Sequence, residues 1–365
     1  MKQLLAITAV AATTAFVTAC AGPGASPAVG RQHSVSSASA GPSPVNSATI
    51  GISPPVTLAE VQAAGGVYRL PLPQPASVTA TPGGVYVSWY VTDGGRPGSY
   101  LMARIDPATG KVKAAVRLDG FDCALAADGS LWVAAGVELL RLNPVTLVVT
   151  GRVRTEPGAG SMTVAGGALW VAGAGHLIRV SLLTGAITRL IRLPHTATSS
   201  VGSDATGTVL FVATAADDGP DVRIERRNPV TGVMIRSTPP MIAIAAPGIG
   251  GVIGSDVWYA RSGGMSGTVG RLDVITLAQK PFFLGWNASN AIRVRATDGL
   301  VWVTQPGGGP RLNFCAAPGT GRVLASLPSG AGSGTVLAIG GKYIYYLPST
   351  SNQVITRVRI PASCR

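Results

Sequence analysis

A four-part phrase recurs seven times along this chain: a Gly-containing turn, a strand centred on an aromatic or large apolar residue, a second strand, and a turn of the form x-Pro-x-Thr-Gly. The strand copies are Val85-Tyr86-Val87, Leu131-Trp132-Val133, Leu169-Trp170-Val171, Val209-Leu210-Phe211, Val257-Trp258-Tyr259, Val301-Trp302-Val303 and Tyr343-Ile344-Tyr345. From Tyr86 to Ile344 is 258 positions over six intervals, so the period is about 43 residues, a spacing typical of propeller blades. The turn copies run from Asp106-Pro-Ala-Thr-Gly110 through Asn143–Leu147, Ser181–Gly185, Asn228–Gly232, Asp273–Leu277 and Ala317–Gly321 to Ile360–Cys364. Each copy offers four short strands and cannot bury both of its own faces, so neighbours must stack. The expected fold is all-β: a seven-bladed β-propeller of four-stranded antiparallel blades.

The ends of the repeat array predict how the ring closes. The seventh copy stops at Arg365 after its third strand, while Gly66-Val67-Tyr68-Arg69-Leu70-Pro71-Leu72 is a strand-like segment with no blade of its own. An N-terminal strand supplying the missing outer strand of the last blade would leave no open sheet edge.

Residues 1–19 read as a signal peptide: Met-Lys, then an apolar run from Leu4 to Val17 that is too short to span a bilayer. The sequence Val17-Thr-Ala-Cys20-Ala-Gly22 resembles a bacterial lipobox. That resemblance implies cleavage before Cys20, a diacylglyceryl group on its sulfur, and a location on the extracytoplasmic face of the cell membrane. Residues 20–56 are dominated by Ala, Gly, Ser and Pro, with Arg31 as the fixed charge. Such a composition cannot offset its ordering entropy by burial. About 35 residues of this kind would reach roughly 30–35 Å by coil statistics. The propeller is expected over residues 57–365.

The formal net charge is +13, and +12 once Lys2 leaves with the signal peptide (13 − 1). In an exported protein such basicity points to headgroups and wall polymers rather than to nucleic acid, for which no partner role is predicted. Arg104, Arg141, Arg179, Arg226 and Arg271 occupy one repeated position, two residues before the turn. A recurring place predicts a structural role, with stems packed between blades and guanidinium groups at the rim. Cys315 and Cys364 fall on adjacent blades, which makes a bridge between them a candidate in an oxidising compartment. Cys123 would pack near an inner strand.

Chemistry, if present, belongs on the face that carries the blade-to-blade connections and the loops between second and third strands. Asp93, Arg96, Asp122, Glu156, His195, Asp217, Asp218, Asp221, Arg261 and Trp286 fall there. The stretches around residues 92–99, 215–221 and 262–267 are polar and Gly-rich, as binding loops are. Asp217-Asp-Gly-Pro-Asp221 lacks the ligand spacing of a calcium loop, and no nucleophile, base and orienting group sit together in sequence. No catalytic residue, metal or cofactor is therefore assigned.

Gly129-Ser-Leu-Trp-Val133, Gly167-Ala-Leu-Trp-Val171 and Arg104-Ile-Asp-Pro-Ala-Thr-Gly110 resemble the YVTN-type and streptogramin-lyase-like propeller repeats of bacteria, over roughly residues 65–365. The resemblance implies a propeller fold. The lyases' His-containing acid/base set and magnesium site have no match in His33, His176 or His195, so lyase activity is not carried over. The reading that follows is a membrane-anchored, monomeric binding or scaffold module for a protein or envelope polymer. The alternative is a metal-dependent lyase or lactonase in which Asp122, Glu156 or Asp217 converges with His195 at the channel mouth.

Overall fold

The computed structural model describes residues 67–68, 75–81, 84–93, 96–106, 111–155, 160–173, 175–193, 200–215, 221–242, 248–263, 266–280, 293–297, 299–304, 313–320, 322–326, 334–340, 343–348 and 355–364. Within them the chain forms antiparallel sheets that follow one another along the sequence. Sheet I spans residues 75–118, II 123–154, III 161–192, IV 200–242, V 248–280 and VI 293–326; VII comprises residues 334–359 together with Val67–Tyr68. Sheets I to VI each have four strands in sequence order, with Met241–Ile242 adding a short fifth pairing in sheet IV, and in sheet VII Val67–Tyr68 takes the outer place after Ile355–Arg359. The innermost strands lie side by side from I to VI, and that of VII lies against that of I. Val67–Tyr68 pairs antiparallel with Ile355–Arg359, placing Val67 opposite Thr356.

Local chemistry explains the alternation of strand and turn. Gly129, Gly167 and Gly299 close the hairpins between first and second strands with φ of 67°, 68° and 74°, a region that glycine enters without a Cβ clash. In the x-Pro-x-Thr-Gly turns the leading side chain caps the loop. Asn143 Oδ1 accepts from the amides of Val145 and Thr146, Asn228 Oδ1 from Val230 and Thr231, and Asp273 Oδ1 from Ile275 and Thr276. The fifth residue donates its amide to the first residue's carbonyl, at 2.7–2.9 Å in four copies. That residue takes a positive φ whether it is glycine (Gly185, 75°; Gly232, 70°) or leucine (Leu147, 60°; Leu277, 56°). The left-handed backbone costs a leucine about 1–2 kcal/mol. Burial of Leu147 and Leu277 offsets it, since burying such a side chain contributes about 1.5–3 kcal/mol.

The seven aromatic positions are all buried, and each sits in register opposite one particular residue of the third strand. The pairs are Tyr86 with Arg104, Trp132 with Arg141, Trp170 with Arg179, Phe211 with Arg226, Trp258 with Arg271, Trp302 with Cys315 and Tyr345 with Arg357. Phe211 and Tyr345 hold the place, where the sequence pattern centred on Leu210 and Ile344. Cys364 also lies beyond the third strand of sheet VII, in the 3-10 turn Ala362–Cys364, rather than at that strand's end.

The x-Pro-x-Thr-Gly turns of sheets II to VI lean on the preceding sheet. Tyr86 donates its hydroxyl to Pro144 O at 2.8 Å, Arg141 donates to Leu183 O at 3.1 Å and Trp170 Nε1 donates to Pro229 O at 3.0 Å. Arg236 reaches Thr276 O at 3.3 Å, and Arg271 reaches Pro318 O at 2.8 Å. Between sheet VI and the last turn the link is the disulfide Cys315–Cys364, with Cα atoms 6.2 Å apart. Cys123 is a buried free thiol on the inner strand of sheet II. Nearer the centre, Thr163 and Ser203 hydroxyls pair at 2.9 Å across sheets III and IV, and Ser200 Oγ accepts from Ile249 N across IV and V.

Gly232 and Gly129 separate two demands on a turn glycine. Both have positive φ, but a Cβ on Gly232 would lie 2.3 Å from Ile191 Cδ1 and 2.7 Å from the Trp170 ring, whereas Gly129 faces open space. Gly129→Ala should cost about 1 kcal/mol from backbone strain, and Gly232→Ala roughly 2–5 kcal/mol once overpacking is added. Urea midpoints in the reverse order would refute the packing of turn IV on sheet III.

Candidate functional site

Strand direction assigns every connection to one of two ends. First and third strands run towards the x-Pro-x-Thr-Gly turns; second and outer strands run back. The hairpins between second and third strands therefore share an end with the sheet-to-sheet connections, here the loop face. The opposite end is the turn face. All ten residues picked from the sequence as ligand-facing fall in or beside loop-face segments.

On that face the structure describes some of them in detail. Asp93 and Arg96 are cross-strand partners at the tip of the second hairpin of sheet I. Asp122 lies in the connection from sheet I to sheet II, partly buried, and its amide donates to Ala134 O at 2.9 Å. Burial pushes its carboxyl above the ordinary carboxylate range, and a hydrogen bond from the Gly136 backbone only partly opposes this. Arg261, half-buried, pairs in register with Thr268, and Asp221, exposed, with Ile242. Glu156, His195, Asp217, Asp218 and Trp286 lie outside the described residues, as does Cys20. Among the described residues no three His, Cys, Asp or Glu side chains come together as a metal would require.

The connections that are described fold down onto the hairpins beside them. A Cβ on Gly120 would sit 2.8 Å from Gly136 N, so backbone lies directly on backbone there. Thr155 N donates to Val137 O at 2.8 Å, Leu193 N to Gly175 O at 2.7 Å and Thr238 N to Ile224 O at 3.0 Å. Sheets II, III and IV thus each fix the start of the connection that leaves them.

One charged cluster escaped the sequence reading. Arg227 and Glu225, both under 10 % exposed, form an ion pair at 2.6 Å, and Arg227 Nη1 also donates to Gly232 O at 2.8 Å. Residues two apart on a strand share a face, which was the available signal. The pair braces the fourth turn from inside its own sheet.

No protein-family model matches the chain, and no curated protein matches it. Among solved structures it is similar to hydrazine synthase of Kuenenia stuttgartiensis (12% identity, TM-score 0.55, 80% of this chain and 97% of that one). It is likewise similar to the Pan2 WD40 domain of Neurospora crassa (10% identity, TM-score 0.56, 79% and 90%) and to BamB of Moraxella catarrhalis (12% identity, TM-score 0.49, 78% and 96%). The chain is a β-propeller. Identities this low speak to the propeller fold and not to activity.

Two measurements follow from the site's electrostatics. Because the folded pKa of Asp122 is raised, its ionisation opposes folding, so the penalty is absent at low pH and grows as pH rises through the ordinary carboxylate range. Asp122→Asn should match the wild type in melting temperature at pH 3 and exceed it at pH 7; an equal or lower value at pH 7 would sink this account. Glu225→Leu leaves Arg227 buried without its carboxylate and should cost about 3–5 kcal/mol in chemical denaturation.

Proposed function

We propose that this protein is a surface scaffold: a closed ring of seven blades, sealed by Val67–Tyr68, held on the extracytoplasmic face of the cell membrane by a lipid on Cys20. Residues 20–56 act as the tether, and the ring works as a monomer. It recognises a protein or an envelope polymer through the loop face, with Asp93, Arg96, Asp218 and Trp286 among the contacting side chains.

The observation that carries this reading is the asymmetry between the two ends. On the turn face the connections are five-residue turns, capped by their own leading side chains and gripped by the neighbouring sheet. On the loop face the sequence inserts longer segments, such as residues 281–292 and 305–312, whose composition departs from the repeat. A scaffold varies its contact loops in this way while the frame stays constant.

Crosslinking capture from intact cells tests the assignment, with partners identified by mass spectrometry. The control carries Asp93→Ala, Arg96→Ala, Asp218→Ala and Trp286→Ala. The expected result is one dominant partner that the control loses, together with a diacylglyceryl mass on the Cys20 peptide. The same partners with and without the four side chains would overturn the loop-face interface. No partner above background, combined with a divalent metal retained on purification, would move the assignment to the lyase or lactonase class.

A further inference from the structure

The turn face has a chemistry of its own. The third residue of the turn is a large aliphatic in four consecutive sheets, Val145, Leu183, Val230 and Ile275, and each points into solvent, from 57 % exposed at Val145 to 79 % at Leu183. Because they recur at one position of adjacent sheets, these side chains fall on one end of the fold rather than being scattered singly. Val233 and Met234 extend this apolar arc at the foot of sheet IV. The Ile191 contact of Gly232 ties that foot to sheet III.

The exposed charge on the same end is mostly basic, with Lys113 paired to the half-buried Asp106 at 3.5 Å. Lys111, Lys113, Arg236, Arg322 and Arg359 are exposed there, and Asp128 is the exposed acid among the described residues of that face. Arg141 adds its guanidinium group beside the Leu183 carbonyl. Aliphatic tips on sheets II to V, with Arg236 beside them and exposed basic residues on sheets I, VI and VII, fit the headgroup layer of an anionic bilayer.

We infer that the turn face of sheets II to V docks on an anionic phospholipid surface, with Val145, Leu183, Val230 and Ile275 inserted and the basic residues over the headgroups. This deepens the scaffold reading, because it turns the loop face outward.

The test uses the chain from residue 20 with Cys20→Ser. It keeps every described strand and carries no lipid, so its outcome is independent of whether Cys20 is acylated and of what the loop face binds. Flotation with vesicles of phosphatidylcholine containing 30 mol% phosphatidylglycerol should show binding that weakens at high salt and is absent on pure phosphatidylcholine. Leu183→Glu with Ile275→Glu should lower partitioning at least tenfold at unchanged melting temperature, while Val137→Glu on the loop face should leave it unchanged. A bimane fluorophore on Leu183→Cys should shift to the blue on vesicles, which reports insertion even if the double variant folds poorly. Absence of vesicle binding in low salt, equal loss in Val137→Glu, or a solution dimer dissolved by Leu183→Glu in place of lipid binding would each overturn the inference.

Discussion

The grip of each sheet on the turn of the next is the interaction from which the rest of the architecture follows. A blade's own hydrogen bonds hold its four strands together but say nothing about its neighbour. Between sheets the structure relies on a donor beside the buried aromatic and an acceptor carbonyl in the following turn. Tyr86 to Pro144, Arg141 to Leu183, Trp170 to Pro229, Arg236 to Thr276 and Arg271 to Pro318 make five such links in succession. Individually each contributes about 1 kcal/mol. Their larger effect is angular: with the turn fixed on the aromatic, the wedge between sheets has one opening. The sixth link is covalent, Cys315 to Cys364, and it occurs where Cys315 stands opposite Trp302 in the position that elsewhere belongs to arginine. A hydrogen bond and a disulfide thus do one geometric job. The covalent form joins sheet VI to the turn that follows the third strand of sheet VII.

This arrangement explains why the arginines repeat while little else that is polar does. In sheets II and V the guanidinium group stacks over the buried tryptophan, with Cζ 5.7 Å from the Trp132 ring and 5.8 Å from the Trp258 ring. The stem covers the indole and the planar head finds a carbonyl, and in sheet II Nε of Arg141 also donates to Ser130 Oγ at 2.8 Å. Lysine would present a single point donor and lose the stacking. In sheet V the same head also meets Asp256 at 3.2 Å, and Lys280 bridges Asp256 to Asp273. The turn carboxylate of Asp273 is held well below its ordinary pKa by the amide hydrogen bonds it accepts and by Lys280.

Repetition decided what could be read from the sequence. The aromatic strand, the Arg position and the turn recur, so each copy corrects the others and the four-stranded unit is legible. Where a copy has a large apolar residue beside its aromatic, as at Leu210-Phe211 and Ile344-Tyr345, composition cannot choose the register. Pairing with Arg226 and Arg357 does. The inner-strand hydroxyls of Ser161, Thr163, Ser200 and Ser203 were invisible for another reason. Serine and threonine read as ordinary turn or strand residues until two sheets are brought together, and only then does Ser161 Oγ meet the backbone of Val201. Among the described residues the buried Glu225–Arg227 pair has no counterpart in other copies. The loop face is hardest of all, because its segments carry no period against which a functional residue would stand out.

The same logic separates the two ends of the molecule physically. Turn-face residues are constrained three ways, by capping, by positive φ at the fifth position and by contact with the preceding aromatic. Of the five turn positions the third is least constrained, since its side chain points away from all three contacts. An aliphatic residue kept there through four consecutive sheets adds nothing to the core and exposes apolar area at a cost in solvation. The described loop-face connections are held at their base, by amide bonds such as Thr155 to Val137 and Leu193 to Gly175. One end can therefore carry a uniform surface set by the repeat, while the other carries individual residues set by no repeat. A uniform amphipathic surface suits a fluid, unpatterned partner such as a bilayer, and individual residues suit a partner with a defined shape.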